Sequence, residues 1–326
     1  MKKAEYTSFV SLKIKLLFLF ILLIPAKVNC LSNFSFSITP NTSIVFGTHD
    51  EKFYSSIIEK NVVSDLEWKI QPLWKIGINA DVAINNFMIS IGIAYALPLN
   101  CGEMHDSDFD PFSGMKYCYS INELKSNLNL NTNFDLSYKL NLSNLFYISP
   151  KVSVHYYYDN FYASNGYGWY GQENSTRPEV SWDDPRATYY EKGALGTVDF
   201  YRHSFFSFLG VALGFEYQRF STDVEFLFSP YAYFYTMDHH LSKNAGYHFK
   251  QIQEGYFSHI FISGRVSYKI TQKLVPMLEI SHLSGKLLKG TLSSDFKSSD
   301  FFLTDQKSGG NINLTTFKIG LSINIL

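Results

Sequence analysis

Two short stretches carry residue types that can split a bond with water. One reads Gly102-Glu103-Met104-His105-Asp106-Ser107-Asp108-Phe109-Asp110, the other Met237-Asp238-His239-His240. Asp106 and Asp108 make a carboxylate pair, Asp238 and His240 an Asp/His pair. Set against each other, such pairs can hold a water, lower the cost of deprotonating it and drive it onto a peptide carbonyl without a covalent intermediate. In that scheme His240 is the base, Asp238 orients it, and Asp106 and Asp108 position water and substrate. Crowded carboxylates also perturb one another's acidity, as hydrolytic acid pairs require. The Asp-Ser-Asp run lacks the longer ligand series and closing Glu of an EF-hand. His239-His240 has no partner at the helical spacing of a zinc protease. No cofactor is expected.

For residues so far apart in sequence to meet, the chain must bring two strands to one rim, and its patterning predicts strands. Leu128, Leu130, Thr132, Phe134, Leu136, Tyr138 and Leu140 alternate with polar residues from Asn127 to Lys139. The same period of two runs through Ile89 to Leu97, Ile260 to Tyr268 and Phe317 to Ile325, and it marks half-buried strands. Short turns fall near Asn85-Asn86, Asn141 to Asn144, Gln218 to Thr222 and Thr271 to Lys273, while long polar connections fall at about 49–64, 99–124, 159–200, 239–255 and 285–312. Short turns at one end and long loops at the other are the layout of an outer-membrane barrel. Four turns and five loops predict an all-β, antiparallel, up-and-down transmembrane barrel of about ten strands. Strands three and seven then both end at the outer rim, just before the two acidic stretches. A soluble β-sandwich shows alternation too, but strands of ten or more residues and the asymmetry of the loops favour the barrel.

Composition agrees. Aromatic residues make up 17% of the chain, with 23 Tyr and 29 Phe. Charged residues are also only 17%, against ~25% in a soluble domain. That balance suits a lipid-facing wall with aromatic girdles. A net charge of −1 provides no basic field, so no nucleic-acid partner is expected. Residues 1–30 open with Met1-Lys2-Lys3, continue through an apolar run from Leu16 to Pro25 and end in Val28-Asn29-Cys30, the pattern of a secretory signal peptide. The barrel domain is then 31–326, roughly 300 residues and room for one large barrel. Export permits a disulfide between Cys101 and Cys118, which would bracket Asp106 and Asp108.

The order of these features resembles the omptin family of outer-membrane proteases. Ser35-Phe36-Ser37-Ile38-Thr39-Pro40, Val45-Phe46-Gly47-Thr48, Leu66-Glu67-Trp68-Lys69 and the hairpin through Asn85 are similar to the family's opening strands. Gly102-x-Met104-x-Asp106-x-Asp108 resembles its acidic signature, and Asp238-x-His240 its Asp/His dyad. The resemblance implies an aspartic-type endopeptidase in the outer membrane, with Asp106, Asp108, Asp238 and His240 as its catalytic set, facing the cell exterior and acting on exposed peptides or proteins. Glu51 resembles one acid of the pocket by which some omptins select basic residues, whereas Thr236 stands in place of the second. Phe109 replaces a tryptophan, and Asn160 occupies the position of an arginine that binds lipopolysaccharide, so dependence on that lipid does not carry over. The competing reading is a non-catalytic barrel, an adhesin or small channel that keeps the same shell. A barrel enzyme acting on lipid would want a Ser/His arrangement near the bilayer, and none stands out.

Overall fold

The computed structural model describes residues 34–58, 60–171, 173–174, 177–178, 180–241, 246–296 and 306–325. Residues 1–30, where the sequence predicts a signal peptide, lie outside them. Ten staves form a closed antiparallel ring. In chain order they are β1 (Phe34–Tyr54), β2 (Val62–Ile84), β3 (Phe87–Ala96) continued by β4 (Asn100–Phe109), and β5 (Lys116–Ser126) continued by β6 (Leu130–Tyr138). After the two-residue β7 (Leu140–Asn141) comes β8 (Phe146–Tyr170), the longest. The connection beyond it holds β9 (Glu173–Asn174), β10 (Arg177–Pro178) and β11 (Thr188–Tyr190), the last paired to β8. The circuit continues with β12 (Thr197–Tyr217), β13 (Phe220–Leu241), β14 (Gly246–Gly255) with β15 (His259–Tyr268), β16 (Leu274–Gly285) with β17 (Leu288–Phe296), and β18 (Gln306–Asn324). Pairing of β18 with β1 closes the ring, which leaves no free edge to template aggregation.

The outer face divides the barrel by height. On β2, Trp74, Ile76, Ile78 and Ile84 are exposed, a lipid-facing row. Farther along the same face come Lys69, Glu67 and Asp65, joined in the pairs Lys69–Glu67 at 3.3 Å and Lys52–Asp65 at 2.6 Å. Exposed apolar residues on other staves cluster at the same end, among them Leu213, Val224, Phe226, Ile262, Leu278 and Ile319. A tilted strand needs only ~9–11 residues to cross a bilayer. The 25 residues of β8 therefore carry more than half of the stave beyond the apolar band.

This projection corrects the boundaries expected from sequence. The connections read as 49–64, 99–124, 159–200, 239–255 and 285–312 are largely strand: β1 runs to Tyr54, β4 and β5 fill most of the second, and β8, β13 and β17 extend to Tyr170, Leu241 and Phe296. Above the band, outward positions meet water and turn polar, so apolar alternation ends while the backbone ladder continues. The short turns fall as expected. Asn85 and Gln218 take φ of 55° and 54°, the left-handed conformation that a tight hairpin demands.

Bulges at the upper edge of the band re-aim the walls. Opposite β5, Asn100 pairs with Lys125 and Gly102 with Leu124, so Cys101 is an inserted residue. From there Met104, Asp106 and Asp108 share the inward face; without the insertion they would point out. Gly102 holds φ at +141°, and a Cβ there would lie 1.8 Å from the Lys69 carbonyl oxygen. A second irregularity, between Ser207 and Leu209 on β12, faces Ser229 and Pro230 on β13. It moves β13's buried face from Glu225, Leu227 and Ser229 to Ala232, Phe234, Thr236 and Asp238. Both acidic stretches therefore owe their inward aim to a bulge.

Inside, the barrel is stoppered. Trp68, Phe161, Phe200, Phe206, Phe208 and Phe234 are fully buried. Trp68 of β2 and Phe200 of β12 stand 4.4 Å apart between ring centroids, although their staves are not neighbours in the ring. The contact therefore crosses the lumen. Below this plug lies a polar cavity of about 350 Å³ lined by Lys151, Glu225, Asp135 and Arg265, among others. Lys151 joins Glu225 at 2.9 Å and Asp135 at 3.4 Å.

Candidate active site

Above the aromatic plug, the inward positions of β1, β2, β4, β12, β13 and β14 converge. Thr236 and Asp238 are fully buried on β13, and His240, the next inward position, is part-exposed at the rim. Asp106 and Asp108 are likewise part-exposed on β4. The register aligns Asp106 with Leu66, and Leu66 with Glu51. Asp238 feels the charges of both Glu51 and Asp106. The structure thus brings the two acidic stretches and Glu51 to one end of the barrel, and the first lies within β4 rather than in a loop after the strand.

Each group has a distinct environment. Ser64 hydrogen-bonds Asp106, whose carboxyl is held well above the usual carboxylate range, first by burial and then by the charge of Asp108. Asp238 is also raised well above that range, by burial and then by Glu51. No donor among the described residues reaches either oxygen of Asp238, and its hydrogen-bonding neighbour is the Glu51 carboxyl. Burial and the Glu51 charge therefore both favour the protonated form of Asp238. Burial lowers His240 to about 4, which leaves its imidazole neutral near pH 7. Among the described residues its Nε2 is buried without a hydrogen-bond partner, as is Oδ1 of Asp106. The expected Asp238–His240 contact is therefore not a hydrogen bond here; Asp238 leans on Glu51, while the His240 ring packs against Phe249 at 5.1 Å.

The neighbouring histidines belong elsewhere. His105 faces the outer wall, 2.7 Å from the Tyr119 hydroxyl and 3.2 Å from Glu103. His239 also faces out, against His248 at 4.1 Å. Asn160 is buried and offers no charge to a lipid headgroup.

The disulfide expectation is corrected. Cys101 and Cys118 are both free and buried. Cys118 lies opposite Asp108, seven positions along β4 from Cys101 and so ~23 Å away at ~3.3 Å per residue, far beyond disulfide reach. The Cys118 thiol instead hydrogen-bonds Asp108 and takes a hydrogen bond from Tyr170, and burial pushes it up. A thiol so placed is inert. Reducing agent is expected to leave both barrel mobility and peptide turnover unchanged, and maleimide to label neither Cys101 nor Cys118 of the folded protein. Mass spectrometry after alkylation checks this, and rapid labelling of Cys118 would contradict the buried Asp108 contact.

Sequence reasoning passed over Arg202, which is fully buried just beneath Asp238. Its Nε donates to Thr236 Oγ1 at 3.0 Å, and its Nη2 lies 3.3 Å from Glu51 Oε1. The signal lay in the inward row Phe200, Arg202, Ser204, Phe206 and Phe208, where one charge sits among aromatics.

A ten-stave outer-membrane barrel with an acid- and histidine-lined cleft above a closed lumen defines the class. The Omptin family model matches residues 32–324. The chain belongs to the omptin family, whose members are outer-membrane proteases. Among solved structures, the outer membrane protease OmpT from Escherichia coli superposes with a TM-score of 0.77 at 16% identity, covering 92% of this chain and 99% of that one. At that identity the likeness speaks for the fold alone. The translocator domain of the autotransporter NalP from Neisseria meningitidis aligns at 7% identity over 98% of each chain, with a TM-score of 0.36. No curated protein sequence matches the chain. Family and fold together put the chain in the outer membrane.

Proposed function

We propose that this chain is an endopeptidase whose cleft faces the cell exterior and whose nucleophile is a water held between Asp106/Asp108 and Asp238/His240. The observation that carries the reading is the convergence at the rim of buried polar atoms that no donor or acceptor among the described residues satisfies, Oδ1 of Asp106 and Nε2 of His240, beside the Asp238 carboxyl, which no donor among the described residues reaches. Each buried polar atom without a partner needs an explanation, and a bound water or substrate atom is one. His240 Nε2, neutral at pH 7, takes a proton from the water as its oxygen attacks the peptide carbonyl carbon. The same proton then passes to the departing amine, so that the bond breaks with no acyl-enzyme. Asp106 and Asp108 hold the water, and the raised acidity range of Asp106 lets it carry a proton toward the developing oxyanion. The substrates are exposed peptide segments that can enter from the rim.

The lumen argues against the channel alternative, because the Trp68–Phe200 contact and the rings around it separate the cleft from the lower cavity. The test is a diverse peptide library incubated with refolded protein, with and without lipopolysaccharide, and read by mass spectrometry. Internal cleavage products are the expected result, while intact peptides under both conditions with a heat-modifiable, folded barrel would overturn the reading.

A further inference from the structure

We propose that Arg202 sets substrate specificity: its guanidinium fills the cation-accepting subsite beneath the Asp238/His240 pair, so the substrate side chain presented there is uncharged. The inference rests on the protease reading for its meaning, but its physical core is testable without catalysis. Glu51 lies on the floor of the cleft below Asp238, and it is fully buried. Its Oε2 accepts from Trp68 Nε1 at 3.0 Å, and its Oε1 accepts from Gln251 Nε2 at 2.6 Å and faces Arg202 at 3.3 Å. Both oxygens are engaged from within the barrel, and on the rim side the carboxyl meets Asp238.

Arg202 is equally bound. Nε donates to the Thr236 hydroxyl at 3.0 Å, Nη1 to the carbonyl of Asn311 at 3.0 Å and Nη2 to the carbonyl of Asp50 at 3.2 Å. The guanidinium carbon lies 5.1 Å from the Phe200 ring and 5.4 Å from that of Phe234, the arrangement of a cation between aromatic faces. These partners come from β1, β12, β13 and β18, so the group is clamped across the lumen. A carboxylate, a hydroxyl, two carbonyls and two rings make a complete guanidinium receptor, and the chain's own arginine occupies it. Thr236 is the inward position directly before Asp238, which puts the occupied receptor under the reacting bond. A basic substrate side chain reaching down would meet a fixed positive charge and a neutralised acid. An aliphatic or polar uncharged side chain meets neither obstacle.

The test uses refolded full-length barrel and methylguanidine as the probe, at constant ionic strength. Arg202→Ala opens the receptor. Methylguanidine is expected to bind this variant saturably and raise its thermal midpoint, while leaving the wild type unmoved. Saturable binding to the wild type that disappears in Glu51→Gln would overturn the proposal, as would an Arg202→Ala barrel that folds and ignores the probe. Should Arg202→Ala fail to refold, Arg202→Gln serves for the same titration, and the wild-type measurement decides on its own. Peptide profiling is the second arm. Wild type is expected to disfavour Lys and Arg at one position flanking the cut by on the order of tenfold or more, and Arg202→Gln to erase that bias. Cleavage by the wild type mainly beside Lys or Arg overturns the inference. A folded wild type that cleaves nothing counts against the proposed function alone, because the probe titration still decides whether the receptor is filled.

Discussion

His240→Ala and Asp106→Asn are each expected to lower kcat/KM for any cleaved peptide by on the order of 10²–10⁴-fold, the range typical of a lost general base or acid. The loss should appear mainly in kcat, since these groups act on the water and the carbonyl rather than on the bulk of the substrate. Folding should survive both changes. His240 and Asp106 are part-exposed at the rim, well above the apolar band, and Asp106→Asn removes one member of a like-charged pair. The measurement is turnover of an internally quenched peptide beside gel mobility before and after heating. Residual activity within tenfold of wild type in either variant, with the barrel intact, would remove that residue from the proposed machinery. Asp106→Ala alone would be less informative, because it also frees the Ser64 hydroxyl that bonds the carboxyl.

The parts of this architecture that were legible in the sequence are those where water or lipid imposes a pattern. Ile76, Ile78 and Trp74 face lipid on β2, and the alternation they belong to ends where the membrane ends. The stave does not. Its upper half is held by the same ladder but carries Lys69, Glu67 and Asp65 outside and Trp68 and Leu66 inside, a mixture that reads as loop when periodicity is the only guide. Asp106, Asp108, Asp238 and His240 stand out in the sequence through their spacing and the family resemblance. Their inward aim was not legible, because it depends on Cys101 as an inserted residue and on the irregularity at Ser229-Pro230, and a one-residue phase shift leaves no mark on composition. Arg202 was missed for a related reason. A single arginine near the edge of a presumed loop looks solvated, and only the inward row of aromatics around it shows that its partners must come from across the barrel. Export permits a disulfide but does not place the thiols, and the antiparallel pair carries Cys101 and Cys118 to opposite ends of their ladder.

Changing charge beneath Asp238 should move the acidic limb of the pH–rate profile in opposite directions for two neighbouring substitutions. The Asp238 carboxyl is raised by burial and by Glu51 and is lowered by Arg202. Its ionised form is the one that can support an imidazolium at His240, so activity is lost as pH falls through its titration. Glu51→Gln removes the repelling charge and keeps the attracting one. Asp238 then ionises more readily, and the limb moves to lower pH. Arg202→Gln does the reverse: Glu51 is left uncompensated, Asp238 holds its proton more tightly, and the limb moves to higher pH. The charges of Glu51 and Arg202 are causes of the Asp238 shift, whereas His240 is lowered to about 4 by burial, so the opposed shifts are assigned to Asp238. The two variants should also differ from wild type in stability, because each leaves one member of a buried ion pair without its counterpart, a change that typically costs about 3–5 kcal/mol. Profiles of kcat/KM from pH 4 to 9 on barrels verified as folded at each pH check the prediction. Limbs that coincide with wild type in both variants would mean that the Glu51–Asp238 contact does not govern the working protonation state, and that another carboxyl, with Asp106 the first to examine, sets the acidic edge of activity.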